Sequence, residues 1–172
     1  MYKRQDIDSP QLALDAVRQD NRTVIEYSPS EGFASYREGL AKYYQSVQVD
    51  VQADDILVTT GGSEALIFAF MSCLDPGDQV IIPEPFYANY NGFAQMAGVE
   101  VVPVTAHLDQ GFALPPIAEF AAQITEKTKA ILICNPGNPT GTVYGSESLD
   151  ALAQLFKDHD LYLFSDEVYR EF

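Results

Sequence analysis

Short β-prone apolar runs alternate with stretches whose apolar residues recur at helical spacing, and this alternation restricts the fold more than any other feature of the sequence. The strand-like runs are Ile56 to Thr60, Gln79 to Ile82, Val99 to Val104, Ala130 to Cys134 and Leu161 to Phe164. Between or before them lie helical patterns: Tyr36, Leu40, Tyr43, Tyr44 and Val47 share one face, as do Ile117, Phe120, Ala121 and Ile124, and then Leu149, Leu152, Leu155 and Phe156. The run Ser63 to Leu74 is apolar on nearly every side, which predicts a helix buried within a domain. Asp75, Pro76, Gly77 and Asp78 form a strong turn signal between that helix and the next strand. The pattern predicts an α/β protein: a three-layer α/β/α arrangement with a mostly parallel sheet and helices on its faces. No internal repeat, low-complexity tract or linker interrupts it.

Composition narrows the function class. The 172 residues, 47% hydrophobic, suffice for one domain or part of one. A net charge of -15, from 25 acidic and 10 basic residues, disfavours nucleic acid and anionic membranes as partners, because no basic patch is concentrated anywhere. Lys3 with Arg4, and Lys127 with Lys129, come nearest to clusters. No apolar run is long enough to span a membrane, and MYKRQDIDSP lacks the apolar core of a secretory signal, so a cytoplasmic protein is expected. Cys73 and Cys134 lie in apolar segments as small hydrophobes, and with His107 and His159 apart from any cysteine or paired carboxylate no metal site is expected.

Four unusual segments each follow a predicted strand, and in open α/β sheets ligands bind beyond the carboxyl ends of the strands. Thr59-Thr60-Gly61-Gly62-Ser63-Glu64-Ala65 reads as strand, glycine turn and helix start. It suits a phosphate cradle, where helix-terminal amides and the helix dipole meet an anion, or equally a tight turn with Ser63 as helix cap. Pro83 to Tyr90 offers closely spaced aromatics that either stack on a planar ligand or serve only as core. Asn135-Pro136-Gly137-Asn138-Pro139-Thr140-Gly141 is the most specific: two prolines and two glycines fix its path, so an asparagine there can donate in a fixed direction. The bland reading of that loop is a rigid connector. Ser165-Asp166-Glu167-Val168-Tyr169 places an acid at a strand end, where it either meets a cation or donors or is a plain surface carboxylate.

Taken in this order, the four segments resemble the fold type I enzymes that use pyridoxal 5'-phosphate (PLP), especially aminotransferases of class I/II similar to aspartate aminotransferases. The resemblance runs from Tyr27-Ser28-Pro29-Ser30-Glu31-Gly32 and Tyr36-Arg37-Glu38 to Phe172, and NPGNPTG followed by SDEVY is its specific signal. It implies that Gly62, Ser63 and the amide of Glu64 hold the cofactor phosphate. It also implies that Tyr87 stacks on the pyridine ring, that Asn138 and Tyr169 hydrogen-bond the ring's phenolic oxygen, and that Asp166 pairs with the pyridine nitrogen. Tyr27 is the implied contact to the phosphate of a neighbouring subunit, made in trans in a homodimer. The implied reaction exchanges an amino group between an amino acid and a 2-keto acid. A carbon-sulfur lyase of the same fold, and a PLP-binding sensor domain of a transcription regulator, are the alternatives the resemblance leaves open.

The sequence departs from the family pattern in one decisive respect. The Schiff-base lysine is expected a few dozen residues after Asp166, whereas Lys3, Lys42, Lys127, Lys129 and Lys157 all precede it. The resemblance implies that residues 1–172 are part of the large PLP-binding domain, truncated at both ends. The phosphate-binding arginine, the C-terminal small domain and the N-terminal segment of the substrate pocket are missing from it. These residues alone are expected to be catalytically inactive and poorly soluble, with sheet and helix faces exposed.

Overall fold

The computed structural model describes residues 8–172. Lys3, Arg4 and the MYKRQ segment lie outside them. The chain divides into two compact units between Val58 and Thr59.

In the first unit, helices α1 (Gln11–Arg18) and α2 (Ala34–Ser46) are followed by a single 3-10 turn at Ala53–Asp55. The spacing of tyrosines and Leu40 predicts α2, whereas α1 arises in a stretch that reads as merely polar, and its Leu12 and Val17 are exposed. Arg37 organises this unit from α2. Its guanidinium is largely buried, donates to the carbonyls of Ala53 (2.7 Å) and Gly32 (3.3 Å), and faces Asp54 and Glu31 at 3.5 and 3.7 Å. Gly32 has φ +95°, and a Cβ there would lie 2.6 Å from Val58. Gly32→Ala is therefore expected to cost about 2–4 kcal/mol, combining left-handed backbone strain with overpacking. Gly39→Ala, inside α2 with nothing within 4 Å of the added carbon, is expected instead to stabilise by about 0.4–1 kcal/mol. Paired thermal melts of the two variants check this; equal melting temperatures would contradict it.

The second unit runs α3 (Gly62–Cys73), β1 (Gln79–Glu84), α4 (Asn89–Ala97), β2 (Glu100–Thr105), α5 (Ile117–Gln123), β3 (Thr128–Cys134), α6 (Ser146–His159) and β4 (Tyr162–Asp166). The sheet order is β2-β1-β3-β4, and all three pairings are parallel. The central strands β1 and β3 are buried on both faces, which is why they read as nearly continuous apolar runs. Side chains alternate between two cores. Val80, Ile82, Ala130 and Leu132 pack with Phe70 of α3 and Tyr90, Phe93 and Ala94 of α4. Ile81, Ile131 and Ile133 pack with Phe120 of α5 and Leu152, Leu155 and Phe156 of α6. Helices thus cover both faces, and the three-layer α/β expectation holds.

Two local expectations are corrected, and one helix was not foreseen. Ile56 to Thr60 is not a strand: Leu57 is exposed, and no ladder partner exists among the described residues. Strand propensity needs a neighbouring strand to fit against, and this run has none. Helix α3 is buried on one face only; Phe70 is sealed, whereas Phe68 and Met71 are exposed. Helix α4 was not foreseen, because the prolines and aromatics before it read as extended chain and its own apolar face is short.

Candidate functional site

From β1 the chain crosses to β2 on one side and then to β3 and β4 on the other, so the connections diverge beyond the carboxyl ends of β1 and β3. Such a switch point opens a crevice in a parallel sheet. The segments after β1, β3 and β4 all lead away from this end, and they are three of the four singled out by sequence.

Asp166 closes β4. Its carboxylate is held at both oxygens: Oδ2 accepts from the Tyr90 hydroxyl at 2.7 Å and Oδ1 from the Val168 amide at 3.2 Å. Its own carbonyl accepts from the Asn135 amide at 3.0 Å, tying β4 to the loop after β3. The carboxylate is partly buried, so it is not the plain surface acid that was the bland alternative. Tyr90 is fully buried; burial first, and then the hydrogen bond to Asp166, push its hydroxyl pKa far above the ordinary tyrosine value, so it stays a donor.

The loop after β3 is cross-braced. The Tyr144 amide donates to Asn135 Oδ1 (2.9 Å), Gly137 N–H to the Thr142 carbonyl (2.9 Å) and Gly141 N–H to the Gly137 carbonyl (2.8 Å). The Thr142 hydroxyl reaches the Gly111 carbonyl at 3.1 Å, anchoring the loop to the segment after β2. The bracing brings Asn138 Nδ2 to 3.5 Å from the Tyr169 hydroxyl oxygen. The Tyr169 oxygen accepts in that contact, which frees its O–H, together with the second Asn138 N–H, to meet one external acceptor. Both residues line a cavity of about 420 Å³, with Val143, Phe172 and the proline-glycine loop. Cys134, beneath the loop, is buried and its thiol pKa is pushed up by that burial, consistent with a small hydrophobe.

After β1, the Tyr87 ring meets Tyr90 edge-on with centroids 5.6 Å apart, and its hydroxyl accepts from Asn89 Nδ2 at 2.7 Å. Tyr90 also stacks on Phe86 at 6.0 Å.

At the start of α3, the Ser63 cap considered above does not form. Gly61 is the cap position, with no side-chain cap bond, and the Glu64 carboxylate accepts instead from the Thr60 amide at 2.7 Å. The amides of Gly62, Ser63 and Glu64, the first three of the helix, have no acceptor among the described residues. A Cβ built on Gly61 or Gly62 meets nothing within 4 Å, so no other part of the chain packs against the backbone there. Free amides at the positive end of a helix dipole suit an anion.

Short contacts thus link Asp166 through Tyr90 to Tyr87, and separately link Asn138 to Tyr169. Tyr27 belongs to the first unit, and its ring is fully exposed. Sequence reasoning missed Tyr90, Asn89 and Thr142. Tyr90 was visible only as one of several aromatics, and nothing local links it to an acid 76 residues away. No group of three or more acidic, histidine or cysteine side chains suited to a metal occurs among the described residues, and no helix there is long and apolar enough to cross a membrane.

Comparison with known proteins converges on one group. The model of the aminotransferase class I and II family matches residues 2–172. The aspartate/prephenate aminotransferase of Thermus thermophilus is 39% identical over 166 residues, covering 95% of this chain and 43% of that protein. The aspartate aminotransferase of Bacillus subtilis is 37% identical over 168 residues, covering 96% and 42%. Among solved structures, the aspartate aminotransferase of Thermotoga maritima superposes with a TM-score of 0.87 at 36% identity, covering 94% of this chain and 44% of that one. The chain spans less than half the length of these relatives.

Proposed function

Because the chain belongs to the aminotransferase class I and II family, we propose that it supplies the cofactor-binding portion of a PLP-dependent enzyme that transfers an amino group between an amino acid and a 2-keto acid. In this reading residues 1–172 are part of the large domain. The observation that carries it is the Asp166 carboxylate, held at both oxygens beside the switch point.

The residues fit PLP. Three amides at the start of α3 with no acceptor among the described residues match a phosphate. A tyrosine ring, braced at its hydroxyl and its edge, matches a planar heterocycle. A fixed carboxylate matches a ring nitrogen that carries a proton, and paired donors match an anionic ring oxygen. When bound, PLP supplies an electron-withdrawing ring that accepts the electrons released at the substrate's α-carbon.

Each protein group then has one task. Asp166 holds the proton at the pyridine nitrogen by placing a negative charge beside it. Asn138 and Tyr169 donate to the phenolic oxygen and favour its ionised form. Gly62, Ser63 and the Glu64 amide bind the phosphate, and Tyr87 covers a ring face and excludes water. Tyr27, exposed in the first unit, is proposed to reach the phosphate of a second copy in a homodimer.

The test is amino-group exchange between a labelled amino acid and a 2-keto acid by the natural protein that carries this chain. Aspartate is the first donor to try, because the relatives are named for it. Release of ammonia or a thiol instead of exchange would reject transamination. Ser63→Ala is expected to weaken PLP binding by about tenfold to a hundredfold, the worth of one hydrogen bond to a charged group. Fluorescence titration of the apoprotein measures it; an unchanged dissociation constant would show that the Ser63 hydroxyl makes no phosphate contact, leaving only its backbone amide, which alanine retains.

A further inference from the structure

We infer that Tyr90 is a positioning residue that holds the Asp166 carboxylate in register with the pyridine nitrogen while bracing the Tyr87 ring, so that one buried side chain sets two of the contacts made to the cofactor ring. The inference rests on the PLP reading above and deepens it.

Tyr90 lies on the second residue of α4, at 0% exposure, between Phe86 and Tyr87. Packing alone in this core asks only for an aromatic ring. A hydroxyl in so apolar a place is costly unless it finds a partner, and it donates here to the Asp166 carboxylate. The bond is 2.7 Å long, an ordinary length for a hydroxyl donating to a carboxylate oxygen. It fixes Oδ2, and the Val168 amide fixes Oδ1, so rotation of the carboxylate breaks a contact at each oxygen. Each oxygen keeps a free lone pair for an external donor. The same ring meets Tyr87 edge-on, so movement of α4 shifts both the ring face and the acid together.

Tyr90→Phe removes only the hydroxyl. In the natural protein it is expected to raise the dissociation constant for PLP about tenfold, the scale of one hydrogen bond to a charged group. Binding of 1-deazapyridoxal phosphate, with C–H in place of the ring nitrogen, is expected to stay unchanged, because that analogue offers nothing for Asp166 to hold. Unchanged analogue binding also reports that the variant is folded. Equal losses for the two ligands would assign Tyr90 to packing alone and overturn the inference, as would no loss for either. Failure of the unaltered protein to bind PLP would overturn the cofactor reading beneath it.

Discussion

Asp166→Asn, made in the natural protein that carries this chain, is expected to lower kcat by about 10²–10³-fold, the usual loss when a preorganised charge opposite a developing charge is removed. The substitution is nearly isosteric, so its effect comes from the lost charge and from the donor that replaces one acceptor oxygen. An amide keeps one acceptor for the Tyr90 hydroxyl, but its other end is a donor and faces the Val168 amide, where the carboxylate now accepts. The negative charge that favours a protonated ring nitrogen is lost, and the ring draws electrons less strongly from the substrate. Steady-state rates with a fixed donor and acceptor measure it. A variant with unaltered kcat and PLP affinity would remove Asp166 from the site.

The second large effect concerns stability. Phe70→Ala is expected to cost about 3–5 kcal/mol, as for other buried aromatic truncations. Phe70 is at 0% exposure where α3 meets the sheet, and its ring lies 5.5 Å from that of Phe164, two residues before Asp166. The cavity would loosen α3, which presents the free amides, against β4, which presents the acid. Ile131→Val, in the opposite core, removes one methylene and is expected to cost about 0.5–1.5 kcal/mol. Denaturant melts of both variants compare them, and a loss at Phe70 no larger than at Ile131 would contradict this account of the core.

How much of this was legible in the sequence depends on whether the information is local. Strands β1 and β3 are buried on both faces and announce themselves as apolar runs bounded by turn residues. The turn before β1 was equally plain: Gly77 takes φ +97° and the Asp78 amide closes on the Asp75 carbonyl. Ile56 to Thr60 misled because β propensity is a statement about neighbours, and no strand lies beside it among the described residues. Helix α4 was hidden because its buried positions are Tyr90, Phe93 and Ala94, too few to display a period, and the preceding prolines dominate the reading. The acid of the site was readable as a charge at a strand end, and the NPGNPTG loop as a path fixed by proline and glycine. What holds the acid was not, because the Tyr90 contact is made by the fold across 76 positions. The failure of Ser63 to cap α3 belongs with it: the Glu64 carboxylate bonds the Thr60 amide, and the first-turn amides stay free.

The most direct test of the central claim, that the loops beyond β1, β3 and β4 together with the start of α3 form one PLP site, is a crystal structure of the natural protein with PLP bound. The account predicts the phosphate on the amides of Gly62, Ser63 and Glu64, the ring against Tyr87, and the ring nitrogen within hydrogen-bond reach of Asp166. A phosphate bound elsewhere, or a ring whose nitrogen points away from Asp166, would contradict it.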